Sequence, residues 1–120
     1  MKVNQEPHEY TREETRQLFL EKIWTLVDYW DKEDRPKTKR EALQGLAFSI
    51  LSTLDGSGVD LPPFAVVPLP CSEDKAYHKE NGEPWFPLPQ KNGPKNDIGG
   101  CLHEHYYDVG REMGLAKGKD

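Results

Sequence analysis

Apolar residues recur at helical spacing in three places along this chain, and a different, proline-punctuated pattern separates the second from the third. The least charged run is Lys39 to Gly56, where Leu43, Leu46, Ala47, Ile50, Leu51 and Leu54 fall at three- and four-residue steps on one side of a helix. That run predicts the buried spine of the domain, covered by one stripe before it and another after it. The stripe before it is Leu18, Phe19, Ile23, Trp24, Leu26, Val27 and Trp30. Thr11-Arg-Glu-Glu14 opens that first helix as a capping box, the Thr11 hydroxyl accepting from the Glu14 N–H and the Glu14 carboxylate accepting from the Thr11 N–H. Asp31, Glu33 and Asp34 oppose the negative end of the helix dipole, and Pro36 restrains Arg35, so the helix is expected to end soon after Trp30. A second box, Thr38-Lys-Arg-Glu41, starts the next helix, and the short connection predicts an antiparallel helical hairpin. Asp55-Gly-Ser-Gly58 closes it, with Gly56 suited to the left-handed conformation.

Beyond residue 56 the pattern changes. Eight of the ten prolines lie between Pro62 and Pro94. Phe64-Ala-Val-Val67 predicts a short strand, but Pro68 and Pro70 remove two N–H groups from one side, which makes it an edge strand. Val66-Val-Pro-Leu-Pro70 is echoed by Trp85-Phe-Pro-Leu-Pro89, so two similar extended segments are expected against the helices. Between them Ser72–Gly82 is polar, with one helical turn from Glu73 to Lys79 and a turn at Asn81-Gly82. Lys91–Asn96 reads as loop. Asn96 or Asp97 then caps a third helix from Ile98 to about Met113, with Ile98, Leu102, His105, Tyr106, Val109 and Met113 on one side and Gly114 as its stop. The expected fold is therefore α+β and mainly α: the hairpin, a third helix, and short edge-type β segments in a proline-rich middle. The expected organisation is a polar arm at 1–10, one globular domain at 11–114 and a frayed tail at 115–120.

Composition narrows the function classes. A chain of 120 residues fits one domain, and 3 Trp, 5 Tyr and 4 Phe argue against disorder. The net charge of −5 is uneven: residues 1–40 carry equal numbers of acids and bases, and residues 41–80 are acidic. Such a balance disfavours non-specific nucleic-acid binding, which needs a basic surface; the basic run Arg35–Arg40 reads as a solvated connection. No apolar run approaches the roughly 20 residues of a membrane span, and the first residues lack the apolar stretch of a signal peptide. Two cysteines, Cys71 and Cys101, do not make a secreted disulfide framework, so a cytoplasmic setting is expected, with a single bridge left open.

Candidate chemistry is sparse. Cys101-Leu-His-Glu-His105 with Asp108 is the densest set: Cys101 and His105 stand one helical turn apart, as do Glu104 and Asp108, and such pairs can hold a metal from one face. No recognised second pair completes four ligands, and His105 lies on the apolar stripe, where a hydrogen-bonded core histidine is the ordinary explanation. His103 beside Asp55 could be combined as acid and base on chemical grounds alone. Asn96–Gly100 could present N–H groups to an anion, although Asp97 would repel one. Asp55-Gly-Ser-Gly58 lacks the Lys-Ser/Thr ending of a phosphate loop. Pro84-Trp-Phe-Pro87 fits a polyproline-ligand pattern, with Trp85 and Phe86 as either core anchors or a partner surface. No nucleophile elbow occurs, and no cofactor is implied.

Gly45-Leu-Ala-Phe-Ser-Ile-Leu51, Leu54-Asp-Gly56, Leu61-Pro-Pro-Phe64, Asn96-Asp-Ile98 and Leu102-His103 together resemble a group of small uncharacterised proteins from bacteria and their phages. The resemblance covers roughly two thirds of the chain, from the second helix onward, and implies a cytoplasmic accessory protein without an established activity. The expected function is therefore binding of a protein partner or of a second copy, not catalysis. Asp55, Trp85, Phe86, His103, Glu104 and Asp108 are the candidate binding residues, and Cys101 and His105 the candidate metal ligands. The alternatives are a small enzyme or metal-binding module on the third helix, and an acidic mimic of DNA.

Overall fold

The computed structural model describes residues 7–58, 60–89 and 96–116. It contains four helices: α1 (Arg12–Lys32), α2 (Lys39–Leu54), α3 (Ser72–Glu80) and α4 (Leu102–Glu112). Among the described residues there is no strand, so the α+β expectation is corrected to an all-helical fold. Phe64–Val67 pairs with no second strand among the described residues, and Pro68 and Pro70 remove N–H donors a partner would need. Trp85–Pro89 likewise forms no strand. The first residues of the polar arm, the loop 91–95 and the end of the tail fall outside the described residues.

Local chemistry sets the helix starts. The Thr11 box closes in both directions: Glu14 N donates to Thr11 Oγ1 at 3.1 Å and Thr11 N to Glu14 Oε1 at 2.9 Å. His8 Nε2 lies 3.0 Å from the same Glu14 oxygen, so one carboxylate ties the incoming segment to the first turn. The Thr38 box closes halfway. Thr38 Oγ1 accepts from Glu41 N at 3.1 Å, but the Glu41 carboxylate reaches one residue further back, to Lys37 N at 2.6 Å. α1 ends at Lys32 with Glu33 as its cap. There Arg35 donates both to Glu33, at 2.9 Å, and to the Tyr29 hydroxyl. These hydrogen bonds, that from Arg35 first and those with Tyr29 and the backbone after it, hold the Glu33 carboxyl down at about 2.

The packing reverses the expected roles of the first two helices. Six apolar residues are buried: Phe19, Leu20, Ile23 and Trp24 of α1, with Ile98 and Val109. α2 buries only Thr53, while Leu43, Phe48 and Leu51 stand 58%, 72% and 59% exposed. α2 and α4 each pack on α1 and do not touch one another. The spine is therefore α1, not α2; α2 covers α1 with Leu46, Ile50 and Leu54 and turns Leu43, Ala47 and Leu51 to solvent.

Both helix contacts are made in the same way. On α2, a Cβ placed at Gly45 would lie 2.5–2.6 Å from three ring carbons of Trp30. The Trp30 N–H reaches Ser49 Oγ at 3.0 Å, one turn along the same helix. On α4, a Cβ at Gly110 would lie 2.8 Å from Trp24 Nε1 and closer still to the ring carbons beside it. The Trp24 N–H donates to the Tyr106 carbonyl at 2.6 Å, again one turn away. The Tyr106 ring stacks on Trp24, centroids 4.4 Å apart. Each tryptophan thus lies flat on a glycine, and its N–H fixes where along the helix it sits. Burial pushes the Tyr106 phenol up, with Tyr107 adding a smaller push.

α3 is longer than the single turn expected from sequence and contacts no other helix. Its support is local: Glu73 and Asp74 in the first turn and His78 and Lys79 in the last suit the helix dipole, and Gly82 turns the chain at φ +69°. α4 starts four residues later than expected. Gly100, at φ +110°, interrupts the helical path, so Ile98 is buried from a loop rather than from the helix.

Candidate functional site

The described residues enclose a groove of about 670 Å³, a size typical of ligand sites, between the start of α1, the segment after α2 and the loop before α4. Gly56 makes one wall possible. At φ +79° it reverses the chain, and Pro63 comes so near that a Cβ at 56 would lie 2.6 Å from its ring. Phe64 N then donates to Leu54 O at 2.8 Å, and the Phe64 ring meets Phe19 edge-on at 5.3 Å. The segment continues as Ala65, Val66 and Val67, whose side chains line the groove and remain open to solvent.

The opposite wall is the loop 96–100. Arg12 Nε donates to the Asp97 carbonyl at 2.6 Å, and a second guanidinium nitrogen lies 3.5 Å from the Gly99 carbonyl. Asp97 Oδ1 accepts from Gly99 N at 2.9 Å. Asp97 thus occupies one of the N–H groups that an anion would need and sets its own carboxylate there, which weighs against the anion-binding reading of this loop. The groove floor is Phe19 and Leu54, and Leu102 closes one end. Among the described residues Asp97 is its one ionisable group, with no histidine or cysteine beside it, so these residues supply no acid–base pair and no nucleophile–base pair. Such a site can hold an apolar segment.

The residues singled out by sequence fall in separate places. Asp55 caps α2 and is exposed, its N–H donating to Leu51 O at 3.0 Å. His103 and Glu104 are exposed on the first turn of α4, and Asp108 is paired with Arg111 one turn on. Because α2 and α4 do not touch, His103 and Asp55 are not joined into an acid–base pair. Cys101 and His105 are half-buried and one turn apart, but no group of three His, Cys, Asp or Glu with metal-binding geometry occurs among the described residues. Cys71 and Cys101 are not bridged. Trp85 and Phe86 stand 43% and 71% exposed, so they do not anchor a core; Lys75 Nζ lies 5.9 Å from the Trp85 ring centroid.

From sequence, Phe64 falls in an expected strand and Asp97 at an expected helix cap, and neither they nor Arg12 are placed in a shared site. Arg12 carried one signal, a cation in the first turn of a helix, where the dipole disfavours it unless another group receives it. No helix among the described residues is long and apolar enough to cross a membrane. No family model, no curated protein and no solved structure matches the chain.

Proposed function

We propose that this chain is an accessory protein that acts by binding another protein, and that the groove between α1, Phe64–Val67 and the loop 96–100 receives an apolar segment of that partner. The observation that carries this reading is the character of the groove. Its walls are apolar, Val66 on its rim is 72% exposed, and its described residues supply no paired acid and base for catalysis. A cytoplasmic location, expected from the resemblance to small bacterial and phage proteins, is part of this proposal. The metal-module reading has less support, since Cys101 and His105 gather no third donor among the described residues. The DNA-mimic reading lacks a continuous acidic face, the first forty residues being neutral.

A photo-crosslinking side chain at Val66, with Tyr77 on the distant α3 as control, tests the proposal in the host from which the sequence comes. A discrete adduct is expected from Val66 alone, and it should vanish when Ala65→Arg fills the groove in a chain whose helical circular dichroism is unchanged. Absence of an adduct at Val66, or one that survives Ala65→Arg, would contradict it.

A further inference from the structure

The outer side of α2 is a separate surface from the groove, and its residues form a self-complementary row. Lys39, Leu43, Ala47, Leu51 and Asp55 follow at four-residue steps, all exposed. Read from either end the row is charged, large apolar, small, large apolar, charged, with opposite signs at its ends. Arg40 adds a second cation beside Lys39. None of Lys39, Arg40 and Asp55 forms an ion pair with another described residue.

The charges are also placed against the helix that carries them. α3 and α4 have acids in the first turn and a basic residue in the last. α2 opens on Lys39 and Arg40 beside Glu41, has no basic residue in its last turn and ends on Asp55. Lys39 and Arg40 thus face their own helix's positive end and Asp55 its negative end, both unfavourable in an isolated helix.

We infer that the exposed face of α2 pairs with the same face of a second copy of this chain, antiparallel, about a two-fold axis at Ala47. In that arrangement Leu43 lies against Leu51 of the second copy, and Ala47 meets its own equivalent, where a small side chain lets the helices approach. Lys39 and Arg40 meet Asp55 of the second copy, and each charge now lies near the favourable end of the other helix's dipole. Rows of four-residue spacing form the ridges of the commonest helix packing. A two-fold axis uses the same patch on both partners, as a self-complementary row requires. A helix of 16 residues is about 24 Å long, so the interface is small and a weak association is expected.

Charge exchange tests both the pairing and its direction. Asp55→Lys makes both ends of the row basic, and Lys39→Asp with Arg40→Asp makes both ends acidic. Both changes suit the α2 dipole, so folding is retained and circular dichroism verifies it. Sedimentation over about 10 μM to 1 mM should show the unaltered chain passing from monomer to dimer, with each variant alone at least tenfold weaker. An equimolar mixture of the two variants should recover association to within a few-fold of the unaltered chain, as a heterodimer. A monomer throughout that range, variants that associate as well as the unaltered chain, or a mixture no stronger than its components would each overturn the inference.

Discussion

Gly45 of α2 lies directly beneath the six-membered ring of Trp30, with no room for a Cβ, and Ser49 one turn away receives the indole N–H at 3.0 Å. The contact is a socket: the glycine admits the ring and the serine sets its position. Gly110 and the Tyr106 carbonyl form its counterpart around Trp24. Two tryptophans of α1, each seated in a socket on a different neighbour, explain how α2 and α4 are both held by α1.

Alanine at either glycine is therefore expected to destabilise, against the ordinary trend. In a helix interior Gly→Ala usually stabilises by about 1 kcal/mol, through backbone entropy. Here the added methyl meets a ring tethered by its own hydrogen bond, and overpacking costs about 1–3 kcal/mol. The net expectation is a loss of up to about 2 kcal/mol for Gly45→Ala and for Gly110→Ala by urea denaturation. A gain at both positions would show that neither ring lies on its glycine.

Exposed positions of α2 should behave oppositely. Leu43→Gln and Leu51→Gln are expected to change monomer stability by no more than about 0.5 kcal/mol, measured at a concentration too low for association. A buried leucine replaced in this way would cost at least the roughly 2–5 kcal/mol of a core Leu→Ala truncation. The larger loss would restore α2 to the role of buried spine.

These positions mark where sequence stops being informative. Leu43, Leu46, Ala47, Ile50, Leu51 and Leu54 were legible as an apolar arc, but an arc covered by the chain's own helices and one left open have the same spacing. The helix starts were legible because caps are chemistry between residues three apart, as at Thr11 and Glu14. Val66 and Val67 suggested a strand because they are β-branched; a strand also needs a neighbour, and none lies beside them among the described residues. α3 has no apolar stripe to reveal it, and its polar sequence suggested only a single turn. The groove was not legible at all, since Phe19, Phe64 and Ile98 are brought together only by the turn at Gly56 and the Arg12 contact with Asp97.

The capping box of α1 gives a further expectation. Thr11→Ala removes the acceptor for Glu14 N and should cost about 1 kcal/mol, read as a lower urea midpoint with unchanged slope. No change would mean that the first turn frays and that the bond is not held in solution.

Glu33 supplies the pH dependence. Its folded pKa of about 2 lies below its ordinary value of 4.5, so its contribution is fully present above about 4.5 and is lost as pH falls from there through about 2. The carboxyl is close to solvent, and screening keeps the stability effect small, so the titration itself is the better readout. Carboxyl carbon shifts followed by NMR should titrate near 2 in the unaltered chain and move up towards 4.5 in Arg35→Gln. An unaltered chain titrating near 4.5 would mean that the Tyr29–Glu33–Arg35 cluster does not form in solution.

The account rests most heavily on the two tryptophan sockets, and the α-protons of Gly45 and Gly110 report on them directly. Protons held against the face of an indole are shielded by its ring current. The α-proton resonances of both glycines are expected well upfield of the chain's other glycines, with nuclear Overhauser contacts from Gly45 to Trp30 and from Gly110 to Trp24. Unshifted glycine protons without those contacts would contradict the packing of α2 and α4 on α1.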